Sequence, residues 1–115
     1  MEIFDLRKSV AFSPDHHVYK FLAETPFCSI SVVGWEAGQT SPIHSHPGAD
    51  EIYYVLEGEG LFNDGRSERR LGAGDTVIFP AGEVHLVRSV TRMVLFRVQA
   101  GGDRHPEPVA SWPAS

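Results

Sequence analysis

Apolar residues along this chain recur in short runs, and most runs alternate with polar residues at a period of two. In residues 28–33, Cys28, Ile30 and Val32 fall on one face and Ser29 and Ser31 on the other, which is the pattern of a half-buried strand. Similar runs occur at residues 18–23, 51–56, 61–62, 67–71, 76–79, 84–89 and 92–99. Clusters of Gly, Pro, Asn and Asp separate them. Asn63-Asp64-Gly65 marks a hairpin turn, because glycine adopts positive φ without steric cost. No segment sustains an apolar 3.6-residue period long enough to predict a helix. Many short strands without crossover helices predict an all-β fold, an antiparallel sandwich or barrel.

At 115 residues the chain is expected to form one domain. Residues 1–100 are read as the domain and residues 101–115, rich in Pro and poor in apolar matter, as an extended or partly disordered tail. Trp112 is the one residue expected to pin that tail to a surface. A formal charge of −5 argues against nucleic-acid or anionic-membrane partners, and no apolar run approaches the roughly 18 residues of a membrane span. Glu2 and Asp5 near the start fit no signal peptide, so a cytoplasmic location is the default expectation. Cys28 is the single cysteine, which leaves no intrachain disulfide and favours an inert thiol.

The chemistry gathers in HSHPGADE, residues 44–51. On an extended segment His44 and His46 share a face. A Pro-Gly turn follows, Glu51 opens the next strand, and hairpins further along would fold His85 back to meet them. Three imidazoles and one carboxylate suit a divalent Mn, Fe, Co, Ni, Zn or Cu ion. An ion that accepts five or six donors keeps positions open for water or substrate.

Residues 38–58 read GQTSPIHSHPGADEIYYVLEG and residues 74–89 read GDTVIFPAGEVHLVRS. These stretches resemble the two conserved motifs of the cupin superfamily, in its small single-domain form. The single departure is Ser89, where the family usually has Asn. The resemblance implies a double-stranded β-helix, a jelly-roll barrel of two antiparallel sheets. It also implies that His44, His46, Glu51 and His85 hold one divalent metal inside the barrel, and that the protein is a homodimer, a state that exposed sheet edges would also favour.

Around the metal, Tyr53 shares the face of Glu51 and is a candidate acid or base. Cys28, with Ile30 and Val32, is expected to wall the cavity opposite, and Phe79 and Ser89 are candidates for substrate contact. Arg88, Arg92 and Arg97 could anchor an acid, without strand parity choosing among them. His16, His17 and His105 are read as solvated. Such a site fits a small-molecule enzyme acting on an oxygenated or carboxylate compound, by dioxygenation or by Lewis-acid isomerase or lyase chemistry. The alternative is a non-catalytic, metal-dependent binding or sensor module. A fold alone does not choose between them.

Overall fold

The computed structural model describes residues 1–113, and its elements follow the apolar runs closely. A single helical turn, α1 (Leu6–Ser9), precedes the strands β1 (Val18–Glu24), β2 (Cys28–Trp35), β3 (His44–Ser45), β4 (Asp50–Glu57), β5 (Glu59–Asn63), β6 (Glu68–Gly72), β7 (Thr76–Phe79), β8 (Leu86–Ser89), β9 (Met93–Ala100) and β10 (Glu107–Pro108). The turn of α1 forms without apolar periodicity because Asp5 caps it, its carboxylate accepting from the Lys8 amide at 3.1 Å. No helix among the described residues is long and apolar enough to cross a membrane.

Every strand pairing is antiparallel. One sheet runs β1-β2-β9-β4-β7, a second β6-β5-β8, and β10 pairs with β3. Backbone bridges of Thr40 with Arg88 and of His44 with His85 carry residues 40–44 along the free edge of β8. The result is the double-stranded β-helix expected from the sequence. The hairpin turn sits where predicted: Asn63 Oδ1 accepts from the Gly65 amide at 2.7 Å and Asp64 Oδ1 from the Ser67 amide at 2.9 Å.

Register explains where core and site lie. Val33, Leu95 and Val55 stand opposite one another across β2, β9 and β4, and Trp35 faces Met93 one row further on. Together with Phe62, Phe79, Val87 and Tyr53 they form the apolar core. Moving the other way, Ser31, Arg97 and Tyr53 make one inward row, and Ser29, Gln99 and Glu51 the next. The inward faces are therefore apolar at one end of the barrel and polar at the other.

That gradient reverses one expectation. On β2 the inward face is Ser29, Ser31, Val33 and Trp35, not Cys28, Ile30 and Val32. Ser29 and Ser31 are buried because their row partners are Gln99, Arg97, Glu51 and Tyr53, with which a hydroxyl is compatible. Ile30 instead pairs with Val98, and Val98 with Ile52, on the outer side of the sheet. The pairing of β10 with β3 left no sign in the sequence, each being too short for a period to register.

Candidate metal centre

His44, His46, Glu51 and His85 are all buried, and one ligand atom from each lies within 4.8 Å of the others. The backbone sets this up. His44 and His85 exchange both amide hydrogen bonds, His44 N to His85 O at 3.1 Å and His85 N to His44 O at 2.8 Å, which brings their rings to 4.4 Å. His46 follows two residues on, and Glu51 enters from the neighbouring sheet at the start of β4.

Each imidazole is oriented by a carbonyl accepting from Nδ1: Pro42 O for His44 at 2.8 Å, Glu83 O for His85 at 2.9 Å, and Arg104 O for His46 at 3.2 Å. The Gln99 amide nitrogen also stands 3.4 Å from His46 Nδ1. An Nδ1 that donates to Arg104 cannot accept from Gln99, and the shorter contact decides for Arg104. With Nδ1 protonated, every Nε2 presents a lone pair. Two of these face the same carboxylate oxygen, Glu51 Oε2, at 2.8 Å from His85 and 3.1 Å from His46. The His46 contact lacks hydrogen-bond geometry, so its Nε2 is a buried nitrogen without a partner. Lone pairs converging on an anionic oxygen repel unless a proton or a cation lies between them. This donor set, three nitrogens and one oxygen, fits a borderline divalent ion.

Glu51 divides its two oxygens. Oε1 accepts from the Tyr53 hydroxyl at 2.9 Å and from Arg97 Nη1 at 3.4 Å, while Oε2 turns to the imidazoles. Burial works to raise the Glu51 pKa, but the facing His46 and His85 imidazoles outweigh it and hold the group below the usual carboxylate range. Burial, reinforced by the Glu51 charge, pushes the Tyr53 phenol well above its ordinary value. Tyr53 is thus placed within the core as a hydroxyl that steadies Glu51. Burial also lowers the pKa of His44. Phe79 stacks on the His85 ring at 4.1 Å and 8°, fixing that imidazole from behind.

A cavity of about 620 Å³ opens beside the cluster, between β1 and the segment carrying His44 and His46. Of the three candidate arginines the structure brings in only Arg97, buried at 5 % exposure. Arg88 and Arg92 are exposed. Arg97 lies over the Tyr19 ring at 4.1 Å and donates from Nε to Ser31 at 3.0 Å.

Cys28 and Ser89 stand away from the cavity wall. Cys28 Sγ lies 3.5 Å from Thr25 Oγ1, on the face that parity turned outward. Ser89 Oγ donates to Glu36 O at 2.5 Å, tying β8 to the loop before residue 40.

His17 is not solvated, contrary to expectation. It is half-buried in the cavity wall, stacked on Trp35 at 4.1 Å and 8°, with Nε2 3.2 Å from the Tyr19 hydroxyl. Burial, helped by the charges of His16, Arg97 and His44, lowers its pKa to about 4. His105, from the C-terminal segment, lines the rim. Sequence reasoning also missed Gln99, which the parity of Arg97 on β9 would have indicated, and Arg104, which no local signal reveals.

Residues 31–98 match the family described as a cupin domain. Over 93 residues, 76% of the chain, 42% of positions are identical to dimethylsulfoniopropionate lyase DddQ of Ruegeria pomeroyi, of which 46% is covered. Over 52 residues, 45% of the chain, 38% are identical to an oxalate-binding protein of Thermotoga maritima, of which 43% is covered. The chain thus spans less than half the length of these curated relatives. A double-stranded β-helix protein of Klebsiella pneumoniae superposes with a TM-score of 0.87 at 24% identity, over 96% of this chain and 99% of that one, a likeness of fold.

Proposed function

The chain belongs to the cupin domain family, and from that premise we propose that it is a divalent-metal-dependent lyase acting on a small carboxylate. The observation that carries this reading is the convergence of three imidazoles and Glu51 beside a cavity that also presents Arg97. The 42% identity to dimethylsulfoniopropionate lyase supports elimination in particular. The dioxygenase and isomerase expectations rest on the donor set and the family resemblance.

In this reading His44, His46, Glu51 and His85 hold the ion. When bound, it supplies Lewis acidity that polarises a carboxylate and acidifies the adjoining C–H. Arg97 Nη2 offers a charge-assisted donor to the same carboxylate, with Ser31 and Glu51 locking the guanidinium in place. Tyr53, kept protonated by burial, orients Glu51 and is not the base. The proton leaving the α-carbon passes to solvent in the open cavity, because His17 has its pKa lowered to about 4 and its Nε2 held at the Tyr19 hydroxyl. The electron pair of that C–H bond forms the alkene as the β-substituent departs with its bonding pair.

The test loads the purified chain separately with Fe(II), Mn(II), Ni(II) and Zn(II), adds dimethylsulfoniopropionate and other β-substituted carboxylates, and follows the unsaturated acid by NMR. Elimination that is abolished by chelation and by His85→Ala supports the reading. Likeness to an oxalate-binding protein favours a second one, a metal-dependent binding module. Saturable oxalate binding without any turnover would replace the first reading with the second.

A further inference from the structure

We propose that the segment around Arg104 belongs to the metal centre, with Arg104 as the positioning residue for His46; this rests on the metal reading above. The reason lies in hydrogen-bond supply. His44 and His85 each find the acceptor for Nδ1–H two residues back, at Pro42 O and Glu83 O. The equivalent carbonyl for His46, His44 O, accepts from the His85 amide at 2.8 Å, and His46 Nδ1 turns instead to Arg104 O at 3.2 Å. The third ring is therefore supported by a carbonyl from a distant part of the chain.

The segment is built to hold that carbonyl still. Arg104 Nη1 donates to Gly101 O at 2.8 Å and Nη2 to Glu24 Oε1 at 3.0 Å, which fastens the segment to the end of β1 across the cavity. Further on, Glu107 pairs with Ser45 and Pro108 with His44, and the Val109 amide donates to Ile43 O at 3.1 Å. β10 thus covers the open edge of the two-residue strand that carries His44. The loop after His46 lies flush against the segment, since a Cβ on Gly48 would stand 2.5 Å from Asp103 O. His105, Pro106 and Pro108 complete the cavity wall. Residues 104–109 lie beyond the 31–98 region matched by the family.

An imidazole whose Nδ1 acceptor is lost samples the other tautomer and other ring orientations, and outer-sphere partners of this kind are worth about 10–100-fold in metal affinity. Cobalt(II) is the probe, read by competition titration for affinity and by its visible absorption for the ligand field. Arg104→Ala in the full chain is expected to bind Co(II) about 10-fold more weakly with an altered band, and Arg104→Lys to recover part of the loss. In a His46→Ala background, Arg104→Ala is expected to cause no further weakening, since the group it supports is gone. Wild-type affinity and spectrum in Arg104→Ala, or an equal loss in the His46→Ala background, overturns the proposal and leaves the metal reading intact. A wild-type chain that binds no Co(II) overturns both.

Discussion

Arg97 compensates the charge of Glu51 and a bound cation would do the same, so removing Arg97 should cost more in metal-free protein than in metal-loaded protein. The perturbation is Arg97→Met, which keeps most of the apolar stem packed on Tyr19. Nη1 lies 3.4 Å from Glu51 Oε1, with the two side chains 6% and 1% exposed. At an effective dielectric constant of about 20 that separation corresponds to a gross attraction of about 5 kcal/mol. The net cost is smaller, because the variant no longer desolvates a guanidinium. Glu51 also keeps the Tyr53 hydroxyl and the imidazoles. Loss of one partner of a buried pair falls at about 3–5 kcal/mol, and the retained donors place Arg97→Met at the lower end, about 3 kcal/mol. With a divalent ion beside Glu51 the loss should shrink to about 1 kcal/mol. Urea denaturation with and without Zn(II), cycled against Glu51→Gln, measures both values. The metal-free loss corresponds to roughly 12 °C in Tm for a domain of this size. Equal losses in the two forms, or a metal-free loss under about 1 kcal/mol, would refute the view that Arg97 and the metal serve the same carboxylate.

Tyr53→Phe removes one donor from Glu51 Oε1 and nothing from the packing, so it should lower stability by about 1–2 kcal/mol and weaken Co(II) binding, read by the same titration. His17 yields a pH dependence. Its pKa is about 4 folded against 6.5 unfolded, so the unfolded chain takes up the proton first, and stability falls as pH drops from about 6.5 to 4. Half-exposure of the ring discounts the effect to about 1–2 kcal/mol, and the difference between wild type and His17→Phe in urea melts across that window should show it. Gly58→Ala should cost about 3 kcal/mol or more, because φ is 80° and a Cβ would overlap the Arg92 carbonyl oxygen. Gly74→Ala, at φ 94° in open space, should cost about 1–2 kcal/mol by thermal melts.

Local chemistry in the sequence determined most strands, the hairpin turn and the four candidate ligands. Alternation is an interaction between neighbours two apart, and HSHPGADE states its purpose within eight residues because a strand puts His44 and His46 on one face. Those signals survive without knowledge of what lies opposite. Which face of β2 turns inward was beyond them. Ser29 and Ser31 look like the solvent side until β9 and β4 set Gln99, Arg97 and Glu51 against them. A polar barrel end reverses the parity that an apolar core would impose. Arg88, Arg92 and Arg97 read alike as residues, and only the register of β9 admits Arg97 to the cavity. His17 became a cavity residue because Trp35 offers its ring a stacking surface and β1 forms the cavity's edge. Arg104, 58 residues from His46, is the furthest case. Its role follows from a carbonyl brought to the His46 ring from a distant segment, a contact that exists only once the chain has closed on itself.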